Sequence, residues 1–316
     1  MAATRIRWRP MASALALVLL LMLLPSQGLH AKLSRRTVSV AAPALATALL
    51  GLRPVAADEG EGGLAARLRA RDAALLGKPI FNLPPRAQAF PAWLEGEWAA
   101  VTSFAGFELP SAKLAKNEVL GDLDVPGFQK ASIAPFADVG SSNIAHRQRF
   151  ARAAPGGPVL EDKVFNLGGA IDAHLGYAAV EEVVLPDGPG NPNRVSVVFK
   201  RGKTRNAERI ELFYNARQSD ASAGGGDGGA PERFFCSEYA RQLTFSASAT
   251  PGVARQVAGD FQVFSTYTRR GEGQVRCNTL TAAYLQPQDA LYFKEPTLPV
   301  IVYSHVTDMT LETAAA

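Results

Sequence analysis

Polar side chains recur at every second position in several strand-like segments of this 316-residue chain. Because side chains alternate between the two faces of a strand, Cys236, Glu238 and Gln242 share one face, opposite Phe235 and Tyr239. If the polar face points into the protein, it supplies hydrogen-bond donors and acceptors around an apolar floor, which suits an amphipathic ligand. If the aromatic face is the interior one, the polar face is solvated. Alternation leaves both interpretations open.

The sequence contains no motif typical of catalysis or metal binding. His146, His174 and His305 have no partner at the spacing of a zinc site. A nucleophile elbow of the form G-x-S-x-G and a phosphate-binding loop are both missing. We therefore predict no metal and no catalytic residue, and we leave the cofactor unassigned. Enzymatic activity stays open, with a preference against it.

The two cysteines lie on different predicted strands. Cys236 and Cys277 fall two strands apart in a simple meander, which disfavours a bond between them. An oxidising compartment would nevertheless permit a disulfide. We keep the disulfide as the alternative to two free buried thiols.

Runs rich in Val, Ile, Thr, Phe and Tyr, separated by turn residues, predict a protein built almost entirely of strands. Ten strands in succession favour an antiparallel meander that closes into a barrel, since closure removes exposed edges. An open sandwich is the alternative. A short helix is expected over 166–175. The strands are predicted near 97–107, 143–151, 159–165, 179–185, 194–201, 207–215, 233–245, 260–269, 274–285 and 299–311.

The first 57 residues have the composition of export signals. They contain seven Lys and Arg residues and no acidic residue, so the remaining chain has 26 basic and 29 acidic side chains. This balance argues against a nucleic-acid partner. Residues 1–28 have the layout of a secretory signal, with a short apolar run and small residues before the cleavage point. Residues 29–57 have paired arginines, Arg35 and Arg36, before a mild apolar run, which is typical of a twin-arginine signal.

Behind these signals we expect two further parts of the chain. Residues 58–90 form an N-terminal arm with helical spacing of leucines from Leu64 to Leu76, ended by prolines. Residues 91–316 form the barrel domain. No transmembrane segment is expected in the mature chain.

Three resemblances add to this interpretation. The segment Phe90–Trp98 resembles the G-x-W start of lipocalin-like (calycin) barrels, in which the Trp plugs the closed end and the Gly permits a tight turn. The chain from Trp93 to Thr310 resembles an uncharacterised cyanobacterial and plastid family, with Lys163 where that family is expected to have Arg. The matching pieces include PAWLEGEW (91–98), EDKVFN (161–166), SEYARQ (237–242) and PVIVY (299–303). The serial signals resemble the presequence of thylakoid-lumen proteins in algae whose plastid lies within the secretory system.

Strand polarity and resemblance together predict a lumenal barrel that binds a small apolar or amphipathic molecule, such as a pigment, a quinone or a lipid. Arg149 would neutralise an anionic group of the ligand, and Glu238 with Gln242 would fix the ligand's orientation. Buried, Glu238 would need Arg149 or Arg276 as a partner. The alternatives are a pigment-modifying enzyme and an assembly factor for a photosynthetic membrane complex. The predicted pocket consists of Trp98, Arg149, Asp162, Asn166, Glu238, Gln242, Tyr267 and Tyr303.

Overall fold

The computed structural model describes residues 63–70, 76–78, 85–121, 141–188, 192–204, 207–222, 232–246 and 255–312. The predicted export signals lie outside these residues. Within them the chain is all-β, with ten antiparallel strands and three α-helices. The helices are α1 (Leu64–Ala70), α2 (Lys116–Gly121) and α3 (Lys163–Leu175). The strands are β1 (Gly96–Glu108), β2 (Ile144–Arg152), β3 (Val159–Glu161), β4 (Val180–Val184), β5 (Arg194–Phe199), β6 (Arg209–Ser222), β7 (Arg233–Ser246), β8 (Arg255–Gly271), β9 (Gln274–Tyr284) and β10 (Ile301–Leu311).

The ten predicted strands are all present. They form a single sheet in the order β3-β2-β1-β10-β9-β8-β7-β6-β5-β4, so every neighbouring pair is consecutive in sequence except β1 with β10. That pair joins the first strand to the last, with Trp98 opposite Leu311 and Thr102 opposite Thr307. A meander whose ends pair in this way has the connectivity that a closed barrel requires.

The expected closure is nevertheless wrong, because the sheet is a strongly curled half-barrel that stays open. Its two edges are β3 and β4, which follow each other in the chain. The segment between them forms α3 instead of a hairpin. Asp162 caps the helix by accepting from the N–H of Phe165, and Gly176 ends it at a φ of 76°. A helix of 13 residues holds the two strands apart and packs against β2, β4 and β5 in the gap.

The central strands are buried on both faces. The sequence left open whether the polar or the aromatic face of β7 is the interior one, and the structure covers both. The polar face of β7 points to the concave side of the sheet, where α3 covers it. The aromatic face lies on the opposite side, where Phe235 and Tyr239 pack under Leu64 and Leu76 of the N-terminal arm. None of the helices in the described parts of the chain is long and apolar enough to cross a membrane.

Two polar contacts fasten the arm to the convex face. The hydroxyl of Tyr284 donates to the carbonyl of Leu76 at 2.6 Å. The ammonium of Lys78 lies 2.6 Å from the carboxylate of Asp260, which is fully buried and also pairs with Arg241 at 2.7 Å. Burial alone would raise the pKa of Asp260, but Arg241 and Lys78 outweigh it and hold that pKa well below its ordinary value.

Replacing Lys78 by Met should destabilise the protein by about 1–3 kcal/mol at pH 7, since Arg241 remains to share the buried charge. The low pKa of Asp260 in the folded state means that its contribution is present above the unfolded pKa of about 4 and lost as the pH falls. The difference between variant and wild type should therefore shrink below about pH 4. Urea unfolding at pH 7 and below about pH 4 measures this difference in the free energy of unfolding. The exposed Lys203→Met variant is the control. Equal stabilities of the Lys78→Met variant and wild type at pH 7 would contradict the analysis.

Candidate functional site

A cavity of ≈ 130 Å³ lies on the concave side of the sheet, beneath α3. It separates two apolar clusters that occupy opposite ends of the half-barrel. One, the Trp98 cluster, contains Leu94, Trp98, Phe150 and Met309, where β1 and β9 begin and β10 ends. The other, the α3 cluster, contains Leu167, Ile171, Val195, Phe261 and Tyr303, where β9 ends and β10 begins.

Polar groups form a belt around the cavity between these clusters. The hydroxyls of Thr102 and Thr307 meet at 2.8 Å across the β1–β10 pair. From β2, His146 accepts a hydrogen bond from the amide of Gln148 at 3.2 Å through Nε2, while its Nδ1 donates to the carbonyl of Ile144 at 3.3 Å. The lining comprises Phe90, Thr102, His146, Gln148, Glu161, Lys163, Asn166, Leu167, Ala170, His174, Tyr214, Cys236, Glu238, Phe261, Val263, Ser265, Tyr267, Cys277, Thr279 and Thr307.

An ion network forms one wall of the cavity. The ammonium of Lys163, at the start of α3, lies 2.9 Å from Glu161 of β3 and 2.7 Å from Glu238 of β7. The second oxygen of Glu238 accepts from Nε of Arg217 on β6 at 2.6 Å. Both cations also lie over the ring of Tyr214, Lys163 at 4.5 Å and Arg217 at 4.9 Å from its centre. Two cations and two carboxylates thus compensate each other.

The network keeps Lys163 and Glu238 ionised. Burial favours the neutral amine of Lys163, but Glu161 and Glu238 outweigh it and raise the pKa of Lys163 above its ordinary value. Burial would likewise raise the pKa of Glu238, but Lys163 and Arg217 lower it below its ordinary value. Burial raises the pKa of Tyr214 to about 12, so its hydroxyl keeps its proton.

Three of the eight predicted pocket residues line the cavity: Asn166, Glu238 and Tyr267. The amide of Asn166 connects the helix to the sheet, since its oxygen accepts from the N–H of Arg149 at 2.7 Å and its nitrogen donates to Glu161 at 3.3 Å. The partners of Glu238 are Lys163 and Arg217, not Arg149 or Arg276, because Arg276 pairs with Asp308 on the surface.

The other five predicted residues lie outside the lining. Arg149 pairs with Asp162 at 2.6 Å and stacks on Phe165, and Asp162 caps α3. Trp98 belongs to the Trp98 cluster and donates through its indole N–H to the carbonyl of Leu94 at 2.9 Å. The remaining two are buried: Gln242 donates to Thr244, and Tyr303 lies in the α3 cluster.

The two cysteines are free and buried, and both line the cavity. The disulfide is not formed, because β8 runs between their strands: Cys236 is opposite Ser265, and Cys277 is opposite Tyr267. Two strand spacings of about 4.8 Å exceed the Cα separation that a disulfide tolerates. Burial raises the pKa of both thiols, that of Cys277 to about 11, so neither is a thiolate near neutral pH.

Sequence reasoning missed most of the belt. Lys163 stood out only as a departure from the family pattern, although a charged Glu-Asp-Lys run at a strand–helix junction was a usable signal. His146 and His174, which lie 28 residues apart in the chain, come together with ring centres 6.4 Å apart. His305 joins the same region, and burial lowers its pKa to about 4. Within the described residues, no group of three or more His, Cys, Asp and Glu side chains is arranged to hold a metal ion.

The comparisons with known proteins identify a family and no activity. The sequence model of a family described as "Domain of unknown function (DUF6816)" matches residues 84–312. This range covers the whole sheet, α3 and every residue that lines the cavity. No curated protein and no solved structure matches the chain.

Replacing Lys163 by Met should destabilise the protein by about 1–3 kcal/mol, because the partly buried Glu161 loses its cation and Glu238 keeps only Arg217. Lys163→Arg, which keeps the charge, should retain most of the stability. The matched surface variant Arg276→Met, which breaks an exposed pair with Asp308, should stay within about 1 kcal/mol of wild type. Chemical denaturation of the three variants measures this order, and similar losses for Lys163→Met and Arg276→Met would contradict it.

Proposed function

The chain belongs to the DUF6816 family of domains of unknown function, and from its own site we propose that it binds a small, uncharged, amphipathic molecule inside the half-barrel. The observation that carries the proposal is a cavity between two apolar clusters, whose lining combines apolar walls with several polar side chains. Ligand sites combine apolar walls with a few convergent polar groups in the same way.

The size of the cavity limits the part of the ligand that it encloses. An apolar cavity of about 150 Å³ holds benzene, so a cavity of ≈ 130 Å³ holds roughly one six-membered ring or a compact lipid head group. Of the pigment, quinone and lipid predicted from the sequence, the ring of a quinone fits this volume, whereas a whole tetrapyrrole pigment is too large. A phenol ring has a similar size and also fits. The hydroxyls of Ser265, Thr279 and Tyr267 are suitable partners for ring oxygens.

The charge balance of the walls favours a neutral ligand. Lys163 and Arg217 are compensated by Glu161 and Glu238 at contact distance. His146 and His305 add no charge near neutral pH, because burial lowers the pKa of each. An anionic group would therefore lose its hydration without gaining an uncompensated cation. Arg149, whose expected role was to neutralise an anion, is already paired with Asp162.

Each alternative function has one observation that bears on it. A pigment-modifying enzyme would need a proton acceptor with a raised pKa. Glu238 instead has a lowered pKa and cations at both oxygens, which disfavours that role. An assembly factor would present an apolar contact surface. Phe293, whose side chain is 86% exposed on the β9–β10 connection, supports that second candidate.

We propose the thylakoid lumen as the compartment and a distant calycin relationship for the fold. The serial signals in residues 1–57 support the first. The buried Trp98 and the positive φ of 132° at Gly96, which glycine adopts readily, support the second, since they match the roles that the G-x-W motif has in calycins. N-terminal sequencing of the protein from purified lumen tests the compartment: the chain should begin near Asp58, and its absence from that fraction would contradict the proposal.

Binding is tested with phenol as a probe and with the protein purified from its source. Native mass spectrometry should show an extra mass of a few hundred daltons that denaturation removes. After the ligand has been stripped, titration calorimetry should detect phenol. The cavity-filling variant Ser265→Leu should weaken phenol binding at least about tenfold, whereas the surface variant Thr310→Leu should not change it. A source protein without bound mass that also ignores phenol would exclude a carrier and favour a protein partner through Phe293.

A further inference from the structure

A second concavity lies on the surface beside the cavity, at the gap between the sheet edges. This edge groove, of ≈ 120 Å³, is bounded by β3, the first turn of α3 and the end of the β4–β5 hairpin. Its walls are mainly apolar, with Leu160, Val164, Leu185 and Pro192 facing Ala87 and Phe90 of the arm. Val164 is 41% exposed there, which is unusual for a valine on a short helix that is otherwise well packed.

The edge groove and the interior cavity are adjacent. Phe90, Glu161 and Lys163 line both of them. The wall between the two spaces is therefore one layer of side chains thick. Of these three, Lys163 has a flexible four-carbon stem, which can move while its ammonium stays paired with a carboxylate.

The gap is also the least costly way into the half-barrel. The Trp98 cluster and the α3 cluster fill its two ends. The strands from β3 round to β4 are continuously hydrogen-bonded, so passage between any two of them breaks a ladder. Between β3 and β4 no ladder joins the strands of the described sheet, and beside the first turn of α3 the side chains of Phe90, Glu161 and Lys163 separate the interior from the surface.

We propose that the edge groove is the tail subsite of the same ligand, an inference that rests on the proposed function. The ligand is then a single-chain amphiphile: its neutral ring lies in the polar cavity, and its unbranched apolar chain leaves past Phe90 and Lys163 to lie along Val164 and Leu185. The polar belt would contact the ring of such a molecule, and the adjacent edge groove, which is mainly apolar, would contact its chain. Each methylene buried in the groove contributes to affinity.

The test compares phenol, which has only the ring, with 4-octylphenol, which adds the chain. In titration calorimetry the stripped protein should bind 4-octylphenol at least about tenfold more tightly than phenol. Val164→Asp should remove most of that advantage and leave phenol affinity within about twofold. An aspartate is well tolerated in the first turn of a helix, so this variant should fold. The matched control is Val101→Asp, at a valine of similar exposure (42%) on β1, away from the groove.

The outcomes separate the two proposals. Binding of phenol without any gain from the octyl chain, or a gain that Val164→Asp leaves intact, would overturn the tail subsite while the cavity proposal stands. Failure of both probes to bind would overturn the proposed function and the subsite together. Equal losses in Val164→Asp and Val101→Asp would show a general effect of the added charge and would also overturn the subsite.

Discussion

The ammonium of Lys163 connects parts of the protein that backbone hydrogen bonds leave separate. Through Glu161 and Glu238 it ties β3 at one edge of the sheet and β7 in its middle to the start of α3. Arg217 extends the tie to β6. Removing four charges from water is expensive, and close pairing with good geometry is what repays it. The open side of the half-barrel is thus held by electrostatics and helix packing, where a closed barrel would use a strand ladder.

Burial on both faces explains how such a sheet remains stable without closing. The concave side is covered by α3 and filled by two apolar clusters, and the convex side is covered by the N-terminal arm. A half-barrel with one bare face would expose Phe235, Tyr239, Phe264 and Tyr284 to water. The arm removes that apolar surface, and the Lys78–Asp260 pair fixes its position. The arm is therefore a structural part of the fold and not merely a linker.

The polar belt is a local departure from the rules that make a core stable. Glu238 and Thr279 lie on inward-facing strand positions, and Asn166 lies on the inward face of α3, where apolar side chains are the usual occupants. Proteins keep exceptions of this kind mainly at functional sites, because each one costs desolvation energy. Here the exceptions are contiguous and surround an open volume, and the ionised ones are mutually neutralised. These features together favour a site for a neutral molecule over a catalytic centre.

The sequence by itself determined what local patterns can specify. Period-2 alternation placed ten strands, and the failure of residues 166–175 to fit that alternation indicated the helix between β3 and β4, which spans Lys163–Leu175. Tertiary structure decided what depends on distant residues. The inward face of β7 became clear only when α1, some 170 residues earlier, was seen to cover the other face. Lys163, one of the two cations that pair with Glu238, lies 75 residues away in the chain, beyond the reach of any local pattern. The prediction of a closed barrel was wrong for the same reason. The strand pattern predicts hydrogen-bonded ladders between neighbouring strands. The position of α3 between β3 and β4, which keeps these two strands apart, depends on tertiary packing.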